Sequence, residues 1–384
     1  MSQNINLKCH VCGANNLNEI TRFSILKRVT SDCKLWRNGG RIAWCMSCGA
    51  IQKIIDEKWQ SETTEIYDAY SIYELSDGEE QPVFEKETGA ASTRSSKLIE
   101  QFLKVVNLKD NGKLLDVGCG NGALLKSFSD SMPEWKLAGS ELNDKYSEEI
   151  LNIPNIENFY SCTIDDIGDK FNVVTMLHLL EHISNPVEFL TKARELLTND
   201  GFLVVQLPNC FENPFDLLIA DHCTHFYLEL LKYIIRSSGF EIIFSSSKCI
   251  SKELTVVARI SALNRNVIPS CVNIENILNS RIEWLINLKN DADKLAVKNE
   301  FGIFGTSIAG TWLWSELTDK IDFFVDEDKT RIGKKYHGCP IYLPDDIPDG
   351  SHVYIALPPV IAESVFKRID NQNVIFHTPN SFNE

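Results

Sequence analysis

A glycine-rich turn directly after an apolar strand is the feature that most constrains the fold of this chain. The segment Leu114-Leu115-Asp116-Val117-Gly118-Cys119-Gly120-Asn121-Gly122 runs from strand-like residues into three closely spaced glycines, and a helix-like segment follows it. Glycine lets the backbone pass close beneath a ligand, and the start of a helix offers unpaired N–H groups. The pattern therefore predicts a Rossmann-like unit that binds a ligand at this turn.

The residues around this turn alternate short apolar strands with amphipathic helices, which is typical of a parallel α/β sheet. The predicted strands are Lys113–Val117, Lys136–Ser140, Val173–Leu177, Phe202–Gln206, Glu241–Ser245 and Leu254–Arg259. A helix is predicted over Ile274–Leu295, and a second α/β unit begins with a strand at Phe301–Phe304. At 384 residues the chain is too long for one ordinary domain, and the two openings predict two Rossmann-like units.

Two cysteine pairs near the N-terminus have the spacing of metal ligands. They are Cys9-x-x-Cys12 and Cys45-x-x-Cys48, and each second cysteine is followed by glycine. Four thiolates arranged in this way converge tetrahedrally on Zn²⁺, as in a zinc ribbon, and leave no open position for catalysis. We expect a structural zinc ion that stabilises a segment too small to fold on its own core.

Acidic residues at two strand ends suggest which ligand the first turn binds. Asp116 lies two residues before the first glycine, where its carboxylate can meet a cationic amino-acid group but would repel a pyrophosphate. Glu141 ends the next apolar strand, where it can accept hydrogen bonds from both ribose hydroxyls. Gly118, Gly120 and Ala123 also fit the G-x-G-x-x-G/A fingerprint of dinucleotide-binding proteins. Taken alone, the turn leaves a different nucleotide open.

A third segment, Phe171–Pro186, contains a strand, a polar end and a helix start with Asn-Pro. Together, the three segments resemble class I methyltransferases that use S-adenosylmethionine, over roughly residues 95 to 260. The resemblance implies that Gly118, Gly120 and Gly122 line the methionine part of the cofactor, with Asp116 beside them. It also places the ribose and adenine among Glu141, Leu142, Thr163, Ile164 and Leu177.

The whole arrangement resembles the three-domain sugar C-methyltransferases, of which the tetronitrose type is the best understood. The likeness is carried by Cys9–Gly13, the Tyr67–Tyr73 stretch, Phe304–Gly310 with Asp326, Lys334–Tyr342 and Ala356–Pro359. It implies a zinc-ribbon-like module at residues 1–65, a central Rossmann-like methyltransferase domain with a helical lead-in at 66–262, and a C-terminal helix with a second Rossmann-like domain at 263–384. In this family the last domain helps to hold the nucleotide of the substrate or serves as a scaffold.

The family takes its acid–base residues from a Tyr-x-Glu-His-like segment. Here the matching stretch is Ile219–Tyr227, in which Asp221 replaces the glutamate, His222 matches the base and an aliphatic residue stands in place of the tyrosine. We expect His222, oriented by Asp221, to remove the acceptor's proton, a step typically worth ~10²–10⁴ in rate. His178 and His225 are the alternative bases, and Tyr73 is expected to cover the substrate.

Charge and hydropathy restrict the partners. The net charge of −15 disfavours nucleic acid and anionic membranes. No apolar run reaches the ~20 residues that span a bilayer, and the polar N-terminus lacks the apolar core of a signal peptide. Twelve cysteines fit a reducing compartment, so we expect a cytoplasmic protein.

The sequence thus predicts methyl transfer from S-adenosylmethionine to a small polar metabolite, a nucleotide-linked sugar by resemblance. An O- or N-methyltransferase of another natural product or glycan precursor, a catalytically silent scaffold and an NAD-dependent dehydrogenase remain alternatives. The sequence predicts neither the acceptor atom nor the oligomeric state.

Overall fold

The computed structural model describes residues 8–71, 80, 82–84, 91–261, 268–269, 273–297, 300–369 and 371–382. Within these ranges the chain has the predicted α/β fold, with three sheets of four or more strands that follow one another along the sequence. No helix of the described residues is both long and apolar enough to cross a membrane.

The N-terminal segment forms small antiparallel sheets and two helices. Its elements are β1 (Leu17–Glu19), β2 (Arg28–Val29), β3 (Leu35–Trp36), β4 (Ile42–Cys45), β5 (Ile51–Lys53), α1 (Glu57–Asp68), β6 (Pro82–Phe84), β7 (Ala91–Thr93) and α2 (Arg94–Val105). Each cysteine pair lies in a tight turn, one before β1 and one between β4 and β5. The side chain of Asp56 caps α1 and that of Thr93 caps α2, in each case by accepting a backbone N–H near the helix start.

The central segment forms a seven-stranded sheet with helices around it. Its elements are β8 (Lys113–Val117), α3 (Ala123–Ser131), β9 (Lys136–Glu141), α4 (Ser147–Leu151), β10 (Ile156–Ser161), β11 (Phe171–Leu177), α5 (Pro186–Glu195), β12 (Leu197–Pro208), β13 (Thr224–His225), α6 (Leu228–Ser237), β14 (Phe240–Ser246) and β15 (Glu253–Ile260). The strand order is β10-β9-β8-β11-β12-β15-β14. The first five strands of this order run parallel, whereas β15 is antiparallel to both of its neighbours.

The short strand β13 does not join that sheet. It pairs with β5 and completes a four-stranded N-terminal sheet of order β1-β4-β5-β13. The N-terminal module and the central segment are therefore joined by backbone hydrogen bonds as well as by side-chain packing.

The C-terminal segment begins with a long helix and forms a six-stranded sheet. Its elements are α7 (Ile274–Leu295), β16 (Phe301–Phe304), α8 (Ile308–Leu317), β17 (Phe323–Val325), β18 (Lys335–Tyr336), β19 (Cys339–Tyr342), β20 (His352–Ile355), α9 (Pro359–Arg368) and β21 (Ile375–His377). The strand order is β18-β19-β17-β16-β20-β21, and all pairs except β18–β19 are parallel. The second Rossmann-like unit predicted from the sequence is confirmed.

Candidate active site

The glycine turn lies where ligands bind in open α/β sheets. From β8 the chain moves outward through β9 to β10, then returns to β11 on the other side of β8. This reversal opens a crevice at the carboxyl ends of β8 and β11. Gly118, Gly120 and Gly122 have φ angles of 70°, 55° and 84°, a conformation that only glycine adopts readily. A Cβ at Gly122 would also come within 2.6 Å of Ile153 Cδ1, so the turn requires glycine there.

Asp116 lies at the floor of this crevice and is 2% exposed. The Thr175 hydroxyl donates a hydrogen bond of 2.7 Å to its Oδ1. Burial raises the pKa of Asp116 to about 7, although the Thr175 bond acts in the opposite direction. A buried carboxylate of this kind gains most from a ligand that brings a positive charge close to it.

Glu141 faces the same turn from the end of β9. Its Oε1 accepts the backbone N–H of Gly120 at 2.7 Å. Burial raises the pKa of Glu141, against the N–H groups of Gly120 and Leu142, which favour the ionised form. The carboxylate of Glu141 is thus held beside the turn, where it can accept hydrogen bonds from a ligand that offers hydroxyl groups.

A single cavity of about 1800 Å³ extends from this turn to the C-terminal sheet. Of the nine residues predicted to bind the cofactor, eight line it: Asp116, Gly118, Gly120, Glu141, Leu142, Thr163, Ile164 and Leu177. Gly122 does not; it is the N-cap of α3 and supports the turn from below. The far wall includes Gly305 and Thr306 at the start of α8 and Arg331, so the cavity spans two segments of the chain.

The orienting partner of His222 differs from the expectation. His222 lines the cavity, and its Nδ1 lies 2.7 Å from Oδ1 of Asp216, in the short 3-10 helix Pro214–Leu218. Asp221 points elsewhere: its carboxylate accepts the N–H and hydroxyl of Ser31, and lies 3.5 Å from His182 Nδ1. Burial alone would lower the pKa of His222, yet the Asp216 carboxylate outweighs it and raises that pKa above its usual value.

His225 and His178, the alternative bases, lie in different surroundings. His225 is fully buried and is absent from the cavity lining, so it has no access to a substrate there. His178 lines the cavity in a left-handed conformation with φ of 48°. Its ring lies 3.3 Å from Glu181 and 3.2 Å from Glu253. Burial favours the neutral form, but the two carboxylates prevail and raise the pKa of His178 to about 9. With this pKa the protonated form of His178 predominates at neutral pH, which disfavours His178 as the base.

Several cavity residues were not foreseen from the sequence. His182 lines the cavity, and its ring stands edge-to-face against His222 at 4.7 Å between centroids. The hydroxyl of Tyr67 is hydrogen-bonded to His182 Nδ1 at 3.0 Å. Asp216 and Glu181 were also not predicted, because their local sequence does not distinguish them from acidic residues on the surfaces of helices. Tyr73 lies outside the described residues, whereas Tyr70 lines the cavity.

The four N-terminal cysteines converge as predicted. The sulfur atoms of Cys9 and Cys48 are 3.6 Å apart, as are those of Cys12 and Cys45. All four sulfur atoms lie within 4.8 Å of one another. Tetrahedral Zn–S bonds of about 2.3 Å place sulfurs about 3.8 Å apart, so the cluster fits Zn²⁺.

Two further groups in the described chain bring three potential metal donors within 4.8 Å of one another. They are Glu181, His182 and His222, and Asp216, His222 and His225. In the second group both carboxylate oxygens are already bonded to imidazole nitrogens. These contacts satisfy the carboxylate without an ion.

Comparison with known proteins agrees with this geometry. Residues 90–244 match the family model of a methyltransferase domain. A ubiquinone biosynthesis O-methyltransferase of Glaesserella parasuis is 26% identical over 133 residues, which cover 30% of this chain and 56% of that protein. One from Haemophilus ducreyi is 32% identical over 125 residues, covering 27% and 50%. The chain thus spans about half the length of the curated relatives it matches.

Among solved structures, one similar protein is an S-adenosylmethionine-dependent methyltransferase from Clostridium acetobutylicum. It is 12% identical with a TM-score of 0.37, and the match covers 53% of this chain and 98% of that one.

Proposed function

We propose that this chain, whose residues 90–244 match a methyltransferase domain, transfers a methyl group from S-adenosylmethionine to a small polar metabolite of the nucleotide-sugar class. One observation carries the proposal. A single cavity is lined by the glycine turn, by Asp116 and Glu141, and by His222. A candidate cofactor site and a candidate proton acceptor thus share one cavity.

The residues present fit the cofactor. The glycines of the turn have no side chains and adopt positive φ, so the backbone can lie close to the cofactor. The buried carboxylate of Asp116 can pair with the ammonium of the methionine part. The carboxylate of Glu141 can accept hydrogen bonds from the ribose hydroxyls. Leu142, whose side chain is exposed, and Thr163 and Ile164 provide a surface for adenine. When bound, S-adenosylmethionine supplies a methyl group on a positively charged sulfur.

His222 then acts as the general base, with Asp216 as its orienting partner. Its Nδ1 is held by Asp216, which leaves Nε2 to receive the acceptor's proton. The acceptor would take the methyl group that the bound cofactor supplies, and the proton that the acceptor releases would move to Nε2 of His222. The Asp216 carboxylate stabilises the resulting imidazolium. General base catalysis typically raises the rate by ~10²–10⁴-fold.

The size of the cavity supports a large acceptor. Pockets for single small ligands commonly measure about 300–1,000 Å³, whereas this one is about 1800 Å³. The excess leaves room for a second ligand that reaches the C-terminal sheet, as a sugar linked to a nucleotide would. A rival acceptor is a phenolic hydroxyl, favoured by the O-methyltransferases among the curated relatives. Zn²⁺ bound by Cys9, Cys12, Cys45 and Cys48 completes the proposal as a structural ion.

Incubation with methyl-labelled S-adenosylmethionine and a panel of nucleotide-linked sugars and phenols tests the function. We expect label in a sugar product, and a His222→Gln variant should lose ~10²–10⁴ in turnover while its cofactor affinity stays near wild type. Label in phenols alone would move the function to the rival acceptor. A variant with wild-type turnover removes His222 from the role of base. If the protein does not bind the cofactor at millimolar concentration, the proposed activity is refuted and the catalytically silent scaffold becomes the favoured alternative.

A further inference from the structure

The carboxylate of Asp216 bridges two histidines. Its Oδ1 lies 2.7 Å from His222 Nδ1 and its Oδ2 lies 2.7 Å from His225 Nδ1. The side chain of Asp216 is 2% exposed, so water is largely excluded from this arrangement. The two imidazoles hold the pKa of Asp216 well below its usual range, although burial alone would raise it. Asp216 is therefore an anion shared by both rings.

His225 enters this arrangement as a neutral hydrogen-bond donor. Burial, assisted by the Lys53 ammonium, lowers the pKa of His225 to about 4 despite the neighbouring Asp216. A neutral imidazole at 2.7 Å from a carboxylate oxygen must carry its hydrogen on the facing nitrogen. His225 has no access to the cavity, so its contribution reaches the chemistry through Asp216.

The N-terminal module fixes the position of His225. His225 pairs with Ile51, and Thr224 with Gln52, across β13 and β5. The backbone N–H of Lys53 donates to the Cys223 carbonyl at 2.9 Å. His10, between the two cysteines of the first pair, contacts the Thr224 hydroxyl through Nε2 at 2.8 Å. The N-terminal module is thereby joined to the segment that carries His222 and His225.

We propose that His225 is a positioning residue, which shares Asp216 with His222 and thereby fixes the ring of the proposed base and sets its proton affinity. The consequence for catalysis rests on the proposed function, in which His222 is the base, whereas the three-residue arrangement does not depend on it. The N-terminal module stabilises this arrangement through the pairing of β5 with β13 and the contact between His10 and Thr224.

The direction of the effect follows from charge sharing. A carboxylate that accepts a second N–H has less negative charge available for the first imidazole, so the second donor moderates the rise in the pKa of His222. Removing that donor should raise the pKa of His222 and move the acid limb of activity to higher pH. The other titratable groups around the two rings are Glu181, His182, Asp221, Lys53 and His10.

Titration of the imidazoles by NMR in histidine-labelled full-length protein tests the proposal without any acceptor. His222→Gln assigns the signal of His222. In His225→Leu, which removes the N–H donor, we expect the pKa of His222 to rise by about one unit. His225→Asn keeps an N–H at a similar position and should restore a pKa close to that of the wild type.

Thr224→Val is the matched control. It is the residue next to His225 and loses the contact with His10, but it leaves the bond between His225 and Asp216 in place. We expect a wild-type pKa for His222 in this variant. An unchanged pKa of His222 in His225→Leu would overturn the positioning role. So would a rise in His225→Asn and in Thr224→Val that is as large as the rise in His225→Leu.

A second measurement covers the case in which His225→Leu does not fold. Lys53→Met removes the ammonium beside His225, so the pKa of His225 should rise from about 4 toward its ordinary value, about 6.5. A neutral His225 whose nitrogen shifts place the ring proton on Nε2 rather than on Nδ1, in wild type or in Lys53→Met, contradicts its role as an N–H donor to Asp216.

Metal analysis separates the remaining alternative. The proposal expects one zinc ion per chain in wild type and in His225→Asn. A second ion, lost when His225 is replaced, would make Asp216, His222 and His225 a metal site and overturn the proposal. Calorimetry with S-adenosylmethionine is run in parallel. Failure to bind this cofactor refutes the proposed function, while the shift in the pKa of His222 still decides the positioning role.

Discussion

Residues around the cavity owe their chemistry to their neighbours rather than to their type. Asp116, buried against the Thr175 hydroxyl, is an acid that ionises near neutral pH, whereas Asp216, between two imidazoles, stays ionised. Likewise, His178 is a cation between two glutamates, while His225 is neutral beside Lys53. The roles of these side chains therefore follow from long-range contacts, which local sequence does not contain.

Cofactor binding should depend on the ionisation of Asp116. Because the pKa of Asp116 is raised to about 7, a falling pH protonates it before most other carboxyls. The bound cation favours the ionised form, so the Kd of S-adenosylmethionine should rise by up to about tenfold per unit as pH drops below 7. Calorimetry from pH 5.5 to 8.5 measures this effect. Asp116→Asn should bind weakly at every pH, and an equally steep dependence in that variant would contradict the assignment to Asp116.

His178 should stabilise the fold in a pH-dependent manner. Its folded-state pKa, about 9, exceeds the ordinary value of about 6.5, so its stabilisation is complete below pH 6.5 and is lost as pH rises through 9. Other groups also titrate there, among them Lys53, whose pKa burial lowers to about 7. The informative quantity is therefore the difference in Tm between wild type and His178→Gln. This difference should shrink from pH 6.5 to 9.5, and a constant difference would show that the ion pairs with Glu181 and Glu253 contribute nothing.

At the scale of secondary structure, the sequence predicted elements whose hydrophobic pattern is strong. The bounds of β8, α7 and β16 agree residue by residue with those predicted, since each is an apolar or amphipathic run with clear ends. The edge strand β10 was not predicted, because half of its sequence, Ile-Glu-Asn-Phe-Tyr-Ser, is polar and none of its residues is fully buried. The two-residue strand β13 was missed as well, since it forms only through pairing with β5, about 170 residues away along the chain.

The glycine turn gives a prediction for one element. Gly122→Ala should destabilise the protein by about 1–2 kcal/mol, because alanine disfavours the positive φ of this residue. It should also weaken cofactor binding, since the turn must adjust to relieve the positive φ that alanine disfavours, while the new Cβ meets Ile153 Cδ1 at 2.6 Å. Gly168→Ala is the control, because nothing lies within 4 Å of a Cβ there. Urea unfolding and calorimetry measure both effects, and equal behaviour of the two variants would refute the constraint.

For the whole molecule, the order of segments and the cysteine cluster were predicted from spacing, whereas the connections between segments were not. Two Cys-x-x-Cys pairs and two strand–glycine–helix openings are local patterns, and each indicates its own fold unit. That β13 joins the N-terminal sheet, and that one cavity reaches from Asp116 to Arg331, depends on packing among residues far apart in sequence. The orienting partner of His222 was misassigned for the same reason: Asp221 is adjacent in sequence, but Asp216 is adjacent in space.

Loss of zinc should therefore affect more than the N-terminal module. A Cys9→Ser/Cys12→Ser variant should contain no zinc and should have a lower Tm. Through β5 and β13 it should also broaden or shift the NMR signals of His222 and His225. Cys249→Ser, at a partly buried cysteine outside the cluster, should retain one zinc ion and wild-type signals. Elemental analysis and NMR decide the outcome, and folded metal-free wild-type protein with unchanged histidine signals would contradict the structural role of zinc.

We propose that S-adenosylmethionine lies across the glycine turn between Asp116 and Glu141. Calorimetric titration of the full-length protein with this cofactor, for wild type and Glu141→Gln, tests it most directly. We expect one bound cofactor per chain in wild type and at least about tenfold weaker binding in the variant, since a buried hydrogen bond to a charged group is worth about 1.5–3 kcal/mol. Absence of binding at millimolar cofactor, or equal affinity in both proteins, would contradict it.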